Sequence, residues 1–466
     1  MSITFLLWLA LLVFCILKGI GRPSWMMCGY LQTVFAAPAF WWWGKSVPSL
    51  GLFSWSLYLG IFVLISVFLN PDTKTDRSTG AEKICFLCLL LASLNVVIVH
   101  FFLANAPSVS YRNADIFWKT SLILFLFYRC IRNLDDLSLI LGCIFSGCAF
   151  IGYQVVFADQ GYIHKGRLEG ISIPGASDSN LISGILLIGL LIGGYFTISE
   201  ARLWIKGYFI IGSVLILETL LRNNSRGAYL SLGLAGLAFL IFSTGKARRM
   251  ALQGAFLGAI AILLMAKNQA IWDRFFSTFA NEEERDGSAQ SRLDYWSAAI
   301  DMISSYPLGS GGEAAFMSPR GMSFISHINN QPRAVHNGYL DIAAGWGVQG
   351  FLLFAVATSL CFGSVVSTSR LSKLNKDVQV TLLCALLISI GVSQLSVGIF
   401  LSSLDCEIPL MTFAICLSAW RVYNTLLMDR LEVELDTELQ FAEDTEGFDQ
   451  FDEYDLETIE SSPSVN

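Results

Sequence analysis

Residues 3–20 read ITFLLWLALLVFCILKGI, an apolar run with a single charged side chain, Lys18. A helix of about 20 apolar residues crosses a hydrocarbon core of roughly 30 Å, and similar runs recur along the chain. Of the 466 residues, 54% are hydrophobic and 14% are charged, against about 25% charged in soluble domains. A membrane β-barrel would show alternating segments of about ten residues instead. The sequence therefore predicts an all-α, polytopic membrane protein whose first run is a retained helix and not a cleaved signal peptide.

The apolar runs predict 13 spans, or 12 with one re-entrant segment. The spans fall near 3–18, 25–43, 50–69, 84–104, 116–131, 137–157, 180–198, 207–222, 227–243, 250–266, 338–364, 378–400 and 407–427. Short basic loops such as KGIGR (18–22), RCIR (129–132) and TGKARR (244–249) are separated by even numbers of spans. All can therefore be cytoplasmic at once, as the positive-inside rule requires. This orientation predicts one large periplasmic loop, 267–337.

Charge is distributed unevenly along the chain and marks off an acidic C-terminal segment. Residues 429–466 hold 14 acidic side chains and one basic, a net charge of −13, so the remainder of a chain with a total of −7 carries +6. An acidic segment with scattered aromatics and no helical stripe predicts a disordered cytoplasmic tail. We expect N-terminal transmembrane helices over 1–157, a transmembrane core over 158–428 that includes the loop 267–337, and the tail over 429–466.

The long loop contains the segment SAQSRLDYWSAAIDMISSYPLGSGG, residues 288–312. Ser291 followed by Asp294 is a capping-box pattern, which would place Arg292 in the first turn of a helix. Apolar residues recur at helical spacing at Leu293, Trp296, Ile300 and Ile303. Pro307 and the glycines after it would end the helix. We therefore expect an amphipathic helix that lies on the membrane face or caps a cavity.

Polar residues gather at the outer ends of the predicted spans. His336 and Asn337 directly precede the span 338–364, and Arg226 begins the span 227–243 with Ser225 as its expected N-cap. Guanidinium groups bind phosphate oxygens in pairs, and a neutral imidazole can take a hydroxyl proton. A histidine beside arginines therefore suits an anionic substrate with a proton to move. The sequence has no HExxH or Cys/His cluster, so no metal site is predicted.

Three motifs resemble those of the O-antigen ligase and polymerase superfamily. HNGYLDIAAGWGVQG (336–350) fits the pattern H-[NSQ]-x9-G-x-x-[GTY], and SRGAYLSL (225–232) and SRLDYWSAAIDMISSYPLGSGG (291–312) are similar to the other two signatures. Their order and the large loop also match. A fourth element, GRLEGISIPGASDSNLISG (166–184), is similar to a further one. The resemblance covers roughly residues 160–400.

This resemblance implies a metal-independent, cofactor-free glycosyltransferase of GT-C type in the bacterial inner membrane. It would use an undecaprenyl-diphosphate-linked glycan donor at the periplasmic face and a glycan, lipid or protein acceptor, without nucleic acid. By the resemblance, Arg226 and Arg292 hold the diphosphate and His336 activates the acceptor hydroxyl. Gly347 and Gly350 would permit close helix packing. The implied substrate-binding residues are Asn337, Arg167, Arg222 and Tyr339.

Several functions remain open at this point. O-antigen ligase, polysaccharide polymerase and protein O-oligosaccharyltransferase share these motifs and differ in the acceptor. A polysaccharide or lipid transporter would show inverted repeats, helices broken in mid-span and charges at mid-membrane depth, whereas the charges here cluster at one face. A non-catalytic scaffold would use the acidic tail to dock a partner and would not need His336.

Overall fold

The computed structural model describes residues 3–45, 53–71, 79–164, 166–265, 287–312, 315–328, 331, 333–402 and 407–457. Helices dominate this part of the chain, and strands are confined to one short hairpin. The α-helices are α1 (Ile3–Gly19), α2 (Pro23–Phe35), α3 (Trp42–Lys45), α4 (Trp55–Leu69), α5 (Gly80–Ile98), α6 (Pro107–Cys130), α7 (Leu134–Phe157), α8 (Ser179–Ser199), α9 (Leu203–Asn223), α10 (Arg226–Phe242), α11 (Gly245–Met265), α12 (Gly287–Ser305), α13 (Pro319–Ile325), α14 (Gly338–Leu374), α15 (Val378–Phe400) and α16 (Glu407–Glu457). A π-helical turn, Val99–Leu103, extends α5, and Ala315–Met317 form a 3-10 turn.

Seven of the described helices are long and apolar enough to cross a membrane. They are α5 with its π-helical turn, α7, α8, α9, α14, α15 and the first part of α16. Three shorter apolar helices, α1, α4 and α10, have 10–17 residues. The all-α, polytopic architecture predicted from the sequence is therefore confirmed, while the count of 12 or 13 spans stays a prediction.

Helix α15 lies at the centre of the bundle. Its apolar window is 83% buried inside the protein, and α8, α10 and α14 pack around it. A helix that is apolar on all sides favours such a position, and nearly every residue of α15 from Val380 to Ser393 is buried. The helix therefore fixes how the three helices that carry the candidate residues sit relative to one another.

A two-stranded hairpin connects α7 to α8 at one end of the bundle. Strand β1 (Tyr162–His164) pairs antiparallel with β2 (Arg167–Glu169). Asp178 then caps α8, since its carboxylate accepts the backbone N–H groups of Asn180 at 2.8 Å and Leu181 at 3.2 Å. We call this end of the bundle the His336 end, because α14 begins there as well.

A second, smaller core forms where α12 and α13 pack on the start of α14. Tyr295, Ala298, Ala299 and Met302 are buried in it together with Ala344 of α14. The predicted apolar stripe was therefore placed wrongly in part. Leu293 is 49% exposed and Ile300 is 54% exposed, whereas Trp296 and Ile303 pack against the edge of this core. The small side chains of Ala298 and Ala299 let the opposite face approach α14 closely, which the spacing of large apolar residues does not show.

The capping prediction for α12 is also wrong. The helix begins at Gly287, so Ser291 and Asp294 lie inside it and Arg292 stands in its second turn. Its end is as predicted, because α12 stops at Ser305 and Pro307 follows. Residues 266–286, which precede this helix, lie outside the described residues.

Helix α16 continues far beyond its membrane-spanning part. It extends to Glu457, where the composition predicts a disordered tail from residue 429. The segment is rich in Glu and Leu, which favour helix, and it continues a helix already nucleated by the span. The last residues, 458–466, lie outside the described part of the chain.

Candidate active site

Arg167 ties the hairpin to the ends of two helices. Its guanidinium donates to Ser179 Oγ at 2.6 Å and to Asn180 Oδ1 at 2.7 Å, both in the first turn of α8. It also donates to the carbonyl of Asn223, the last residue of α9, at 3.4 Å. Ser179 Oγ in turn donates to Glu169 at 3.3 Å. Arg167 is thus held at the His336 end by several polar partners.

The turn between α9 and α10 carries Arg226 to the same place. Asn224 adopts the left-handed conformation with φ 48°, which asparagine tolerates better than most residues. Its side-chain amide donates to the carbonyl of Gly166 in the hairpin at 3.4 Å. Arg226 is the half-buried first residue of α10. Ser225 occupies the expected N-cap position, but its side chain makes no capping hydrogen bond.

His336 and Asn337 form the entrance to α14. Asn337 caps the helix, with its side-chain oxygen accepting the N–H groups of Tyr339 at 3.0 Å and Leu340 at 3.1 Å. His336 has a left-handed backbone with φ 55°. A residue other than glycine held in this region stores strain of order 1–3 kcal/mol, and such strain gathers at functional sites. The Asn337 cap therefore fixes the start of the helix, and His336 precedes it in an uncommon backbone conformation.

The surroundings of His336 favour its neutral form. Burial lowers the pKa of the imidazole below its ordinary value of 6.5, and the cations Arg292 and Arg333 lower this pKa further. Asp178, the N-cap of α8, acts in the opposite direction. A neutral imidazole can accept a proton at neutral pH, and a nearby carboxylate can stabilise the imidazolium that results. The site therefore combines a proton acceptor, two cations and one anion.

Helix α14 breaks at Gly347. This residue has φ 81° and ψ 168°, a combination that is essentially restricted to glycine. The break separates residues 338–346, the first segment of α14, from residues 348–374, its second segment. Backbone groups released in a membrane need partners, because an unsatisfied group there costs several kcal/mol.

The loop after α12 inserts into this break and supplies those partners. Ser310 and Gly311 donate their N–H groups to the carbonyls of Ala344 at 3.2 Å and Gly345 at 3.1 Å. The N–H of Val348 donates to the carbonyl of Pro307 at 2.9 Å. The two sequence motifs 291–312 and 336–350 are thus joined into one unit by main-chain hydrogen bonds.

A polar pair between α5 and α14 completes the break. Asn95 donates to the carbonyl of Trp346 at 2.8 Å and accepts from Gln349 at 3.0 Å. Gln349 also donates to the carbonyl of Leu308 at 2.9 Å. Gly350 leaves room for this arrangement, since a Cβ there would lie 3.0 Å from the amide nitrogen of Asn95. Gly350 therefore lies at a close approach of α5 and α14, whereas Gly347 permits the break.

The structure brings some of the predicted site residues together at the His336 end and gives Arg222 and Tyr339 partners elsewhere. Arg292 acts electrostatically on His336, which Asn337 follows in the chain. Arg167 and Arg226 lie on the hairpin and on the turn that is bonded to it. Arg222 pairs with Glu218 on its own helix at 2.8 Å. The Tyr339 hydroxyl donates to the carbonyl of Leu395 at 2.7 Å and so joins α14 to α15. The substrate-binding roles of Arg222 and Tyr339 remain predictions.

Sequence reasoning missed Asp178, Arg333 and Asn95. Arg333 lies three residues before His336, and its charge alone could have marked it. Asp178 stands in the quoted element 166–184 as a helix cap, but its approach to His336 depends on tertiary structure. Asn95 lies in an apolar run, where a polar side chain at membrane depth is itself a signal of function or of helix pairing. Among the residues that the structure describes, no group of three or more His, Cys, Asp or Glu side chains is placed to hold a metal ion.

Comparison with known families gives a match to part of the chain. A family model described as O-antigen ligase matches residues 211–355. These residues are similar to the O-antigen ligase family. The matched segment contains Arg226, Arg292 and His336 together with the break at Gly347, whereas Arg167 and Asn95 lie outside it. No curated protein matches the chain.

Proposed function

We propose that this protein transfers a glycan from an undecaprenyl-diphosphate-linked donor to an acceptor hydroxyl at the periplasmic face of the bacterial inner membrane. It would act as an O-antigen ligase or as a polysaccharide polymerase. The observation that carries the proposal is the position of His336 before the capped start of α14, where burial and the nearby Arg292 and Arg333 lower the pKa of its imidazole. The family match over residues 211–355 supports the reaction class.

The proposed reaction uses His336 as the general base. Its imidazole takes the proton of the acceptor hydroxyl as the oxygen attacks the anomeric carbon of the donor sugar. The bond between that carbon and the diphosphate oxygen breaks, and the lipid diphosphate leaves with the bonding electrons. Asp178 stabilises the imidazolium that forms. General-base catalysis of this kind contributes typically 10²–10⁴-fold.

The arginines are proposed to bind the diphosphate. Negative charge grows on the leaving group during the reaction, so fixed cations stabilise the transition state more than the ground state. Arg226 and Arg292 fulfil this role in the proposal, and Arg167 supports the turn that carries Arg226. In this proposal Arg226 and Arg292 supply the positive charge that a metal ion provides in many phosphate-transferring enzymes. We propose on this ground that the reaction is metal-independent.

The broken helix α14 is a feature that transporters also show. In transporters, unwound segments expose backbone groups to a substrate or an ion. Here the released groups of Ala344, Gly345 and Val348 are already bonded to residues 307–311. The break therefore supports a rigid site better than an ion pathway, and it favours the transferase over the transporter.

The test measures glycan transfer in membranes that contain the wild type or one of the variants His336→Ala, Arg226→Ala and Arg292→Ala at equal expression. We expect each variant to lose transfer by about 10²-fold or more. The labelled acceptor in the wild-type reaction identifies a ligase, a polymerase or a protein O-oligosaccharyltransferase. Unchanged transfer in all three variants would contradict the proposed site and favour the scaffold.

A further inference from the structure

A long cavity lies between α5, α6, α14 and α16, outside the polar site. Its volume is about 190 Å³. Apolar side chains from all four helices line most of it, among them Leu89, Phe117, Leu124, Leu353 and Phe413. A cavity of this character suits a hydrocarbon chain and not a sugar, since a sugar needs many polar partners.

One end of this cavity meets the candidate active site. Gly338 and Asp341 in the first turn of α14 line it, and His336 and Asn337 directly precede this turn. The cavity continues along α14 as far as Cys361, a distance of roughly 35 Å at about 1.5 Å per residue. That distance is comparable with the roughly 30 Å of a bilayer core. A chain in the cavity would therefore cross most of the membrane and present its head group to His336 and the nearby arginines.

The cavity also reaches the lipid-facing surface of the bundle. Helices α5 and α6 both border the cavity, and Phe86 of α5 contacts Phe125 and Tyr128 of α6 towards its far end. Ile116 and Phe125 of α6 line the cavity and are each 40% exposed. A membrane lipid could therefore enter sideways between α5 and α6 without leaving the bilayer.

The far end of the cavity is closed by a fixed tyrosine. The Tyr128 ring stacks under Arg421, whose guanidinium carbon lies 4.0 Å from the ring centroid. Phe86 packs edge-on against the same ring, with centroids 4.8 Å apart. Arg421 is 6% exposed and donates to the carbonyls of Tyr128 and Ile131. Glu82, which is 1% exposed, interacts with the Tyr128 hydroxyl as well.

We propose that this cavity holds the isoprenoid tail of the lipid-linked donor and that Tyr128, fixed by Arg421 and Glu82, is the floor that sets how much of the tail it encloses. The inference rests on the proposed function, because the cations at the upper end suit the diphosphate of such a donor. Tyr128 then contributes to substrate specificity by limiting depth, some 30 Å from the reacting atoms. The occupant is a single branched hydrocarbon chain and not the paired acyl chains of a phospholipid.

Binding is tested first, without any transfer. Purified protein in lipid nanodiscs is titrated with undecaprenyl phosphate and analysed by native mass spectrometry. Ala92 of α5 lines the cavity, so Ala92→Trp fills it. Leu90→Trp on the same helix is the matched control, because Leu90 is 67% exposed and does not line the cavity. We expect Ala92→Trp to weaken binding by about tenfold or more, which corresponds to about two lost methylene contacts, while Leu90→Trp binds as the wild type does. Equal binding by both variants, or equal displacement by phosphatidylethanolamine, would overturn the assignment.

Tail length is tested next with synthetic donors that carry geranyl, undecaprenyl or longer isoprenoid tails. In the wild type, KM should fall as the tail lengthens and then level off once the tail reaches Tyr128. Tyr128→Ala should move this plateau to longer tails, whereas Tyr128→Phe, which keeps the ring, should leave it in place. The same length dependence in all three proteins would contradict the proposed floor. Absence of transfer from every donor would contradict the proposed function, and the binding measurement would still decide the cavity.

Discussion

Replacing Gly347 with alanine tests whether the break in α14 positions His336. At φ 81° and ψ 168°, an alanine is strained by about 1–3 kcal/mol. An added Cβ would also lie 2.6 Å from the backbone carbonyl carbon of Leu308. Ordinary contacts of a Cβ begin at 3.4 Å, so the inserted loop or the helix would have to move by about 0.8 Å (3.4 − 2.6).

This displacement is expected to reach the active site. Residues 338–346 form a short rigid segment with the capped Asn337 at one end and Gly347 at the other. A misplacement of about 1 Å costs on the order of 10²-fold in rate. We therefore expect Gly347→Ala to lower kcat by about 10- to 100-fold, together with an unfolding free energy lower by about 1–3 kcal/mol.

The assay compares transfer by purified Gly347→Ala, Gly363→Ala and wild-type protein, with thermal unfolding measured on the same samples. Gly363 is the matched control because it lies in the second segment of α14 with no atom within 4 Å of an added Cβ. Alanine there should raise stability by up to about 1 kcal/mol and leave kcat unchanged. Wild-type kcat and stability in Gly347→Ala would refute the positioning role of the break. A loss of stability without any loss of kcat would show that the break serves only the fold.

Three further predictions follow from the site. His336 must be neutral to act as a base, so transfer should fall as the pH drops through its lowered pKa. Arg333→Gln removes a cation that lowers this pKa. This variant should therefore move the acidic limb of the pH–rate profile to higher pH. Asp178→Asn removes the carboxylate that raises the pKa of His336 and retains a good N-cap. It should therefore move the same acidic limb to lower pH. If the limb does not move in either variant, or moves in the opposite directions, His336 is not the titrating base. Arg167→Lys cannot reproduce the hydrogen bonds to Ser179 and Asn180. It should raise the KM for the donor while kcat is nearly retained. The same KM in the variant and the wild type would argue against a role for the hairpin. Addition of EDTA should leave the initial rate of transfer unchanged, and loss of transfer that Mg²⁺ or Mn²⁺ restores would contradict the metal-independent mechanism.

The membrane fold and the helix start at the His-Asn pair could be predicted because they depend on local pattern. Apolar run length determines the spans, and the predicted starts near residues 180, 338 and 378 agree closely with helices that begin at Ser179, Gly338 and Val378. The His-Asn pair was also placed at a helix start for a local reason, since Asn337 caps the helix with its own side chain.

What the sequence did not reveal depends on contacts between distant segments. The break at Gly347 is stable only because residues 307–312 and Asn95 satisfy its backbone groups, and neither partner is near it in sequence. The pKa of His336 depends on Asp178, which approaches through the packing of α8. The exposed positions of Leu293 and Ile300 follow from the contact that Ala299 makes with α14. Each of these facts requires the tertiary arrangement.

The most direct test of the central claim is a single-turnover transfer assay with purified protein, excess enzyme and a fluorescent undecaprenyl-diphosphate-linked glycan. His336→Ala is compared with His327→Ala, because His327 is an exposed histidine of the segment before α14. We expect His336→Ala to slow the transfer step by about 10²–10⁴-fold while the donor still binds, and His327→Ala to react at the wild-type rate. Equal transfer by the two variants would contradict the assignment of His336 as the base.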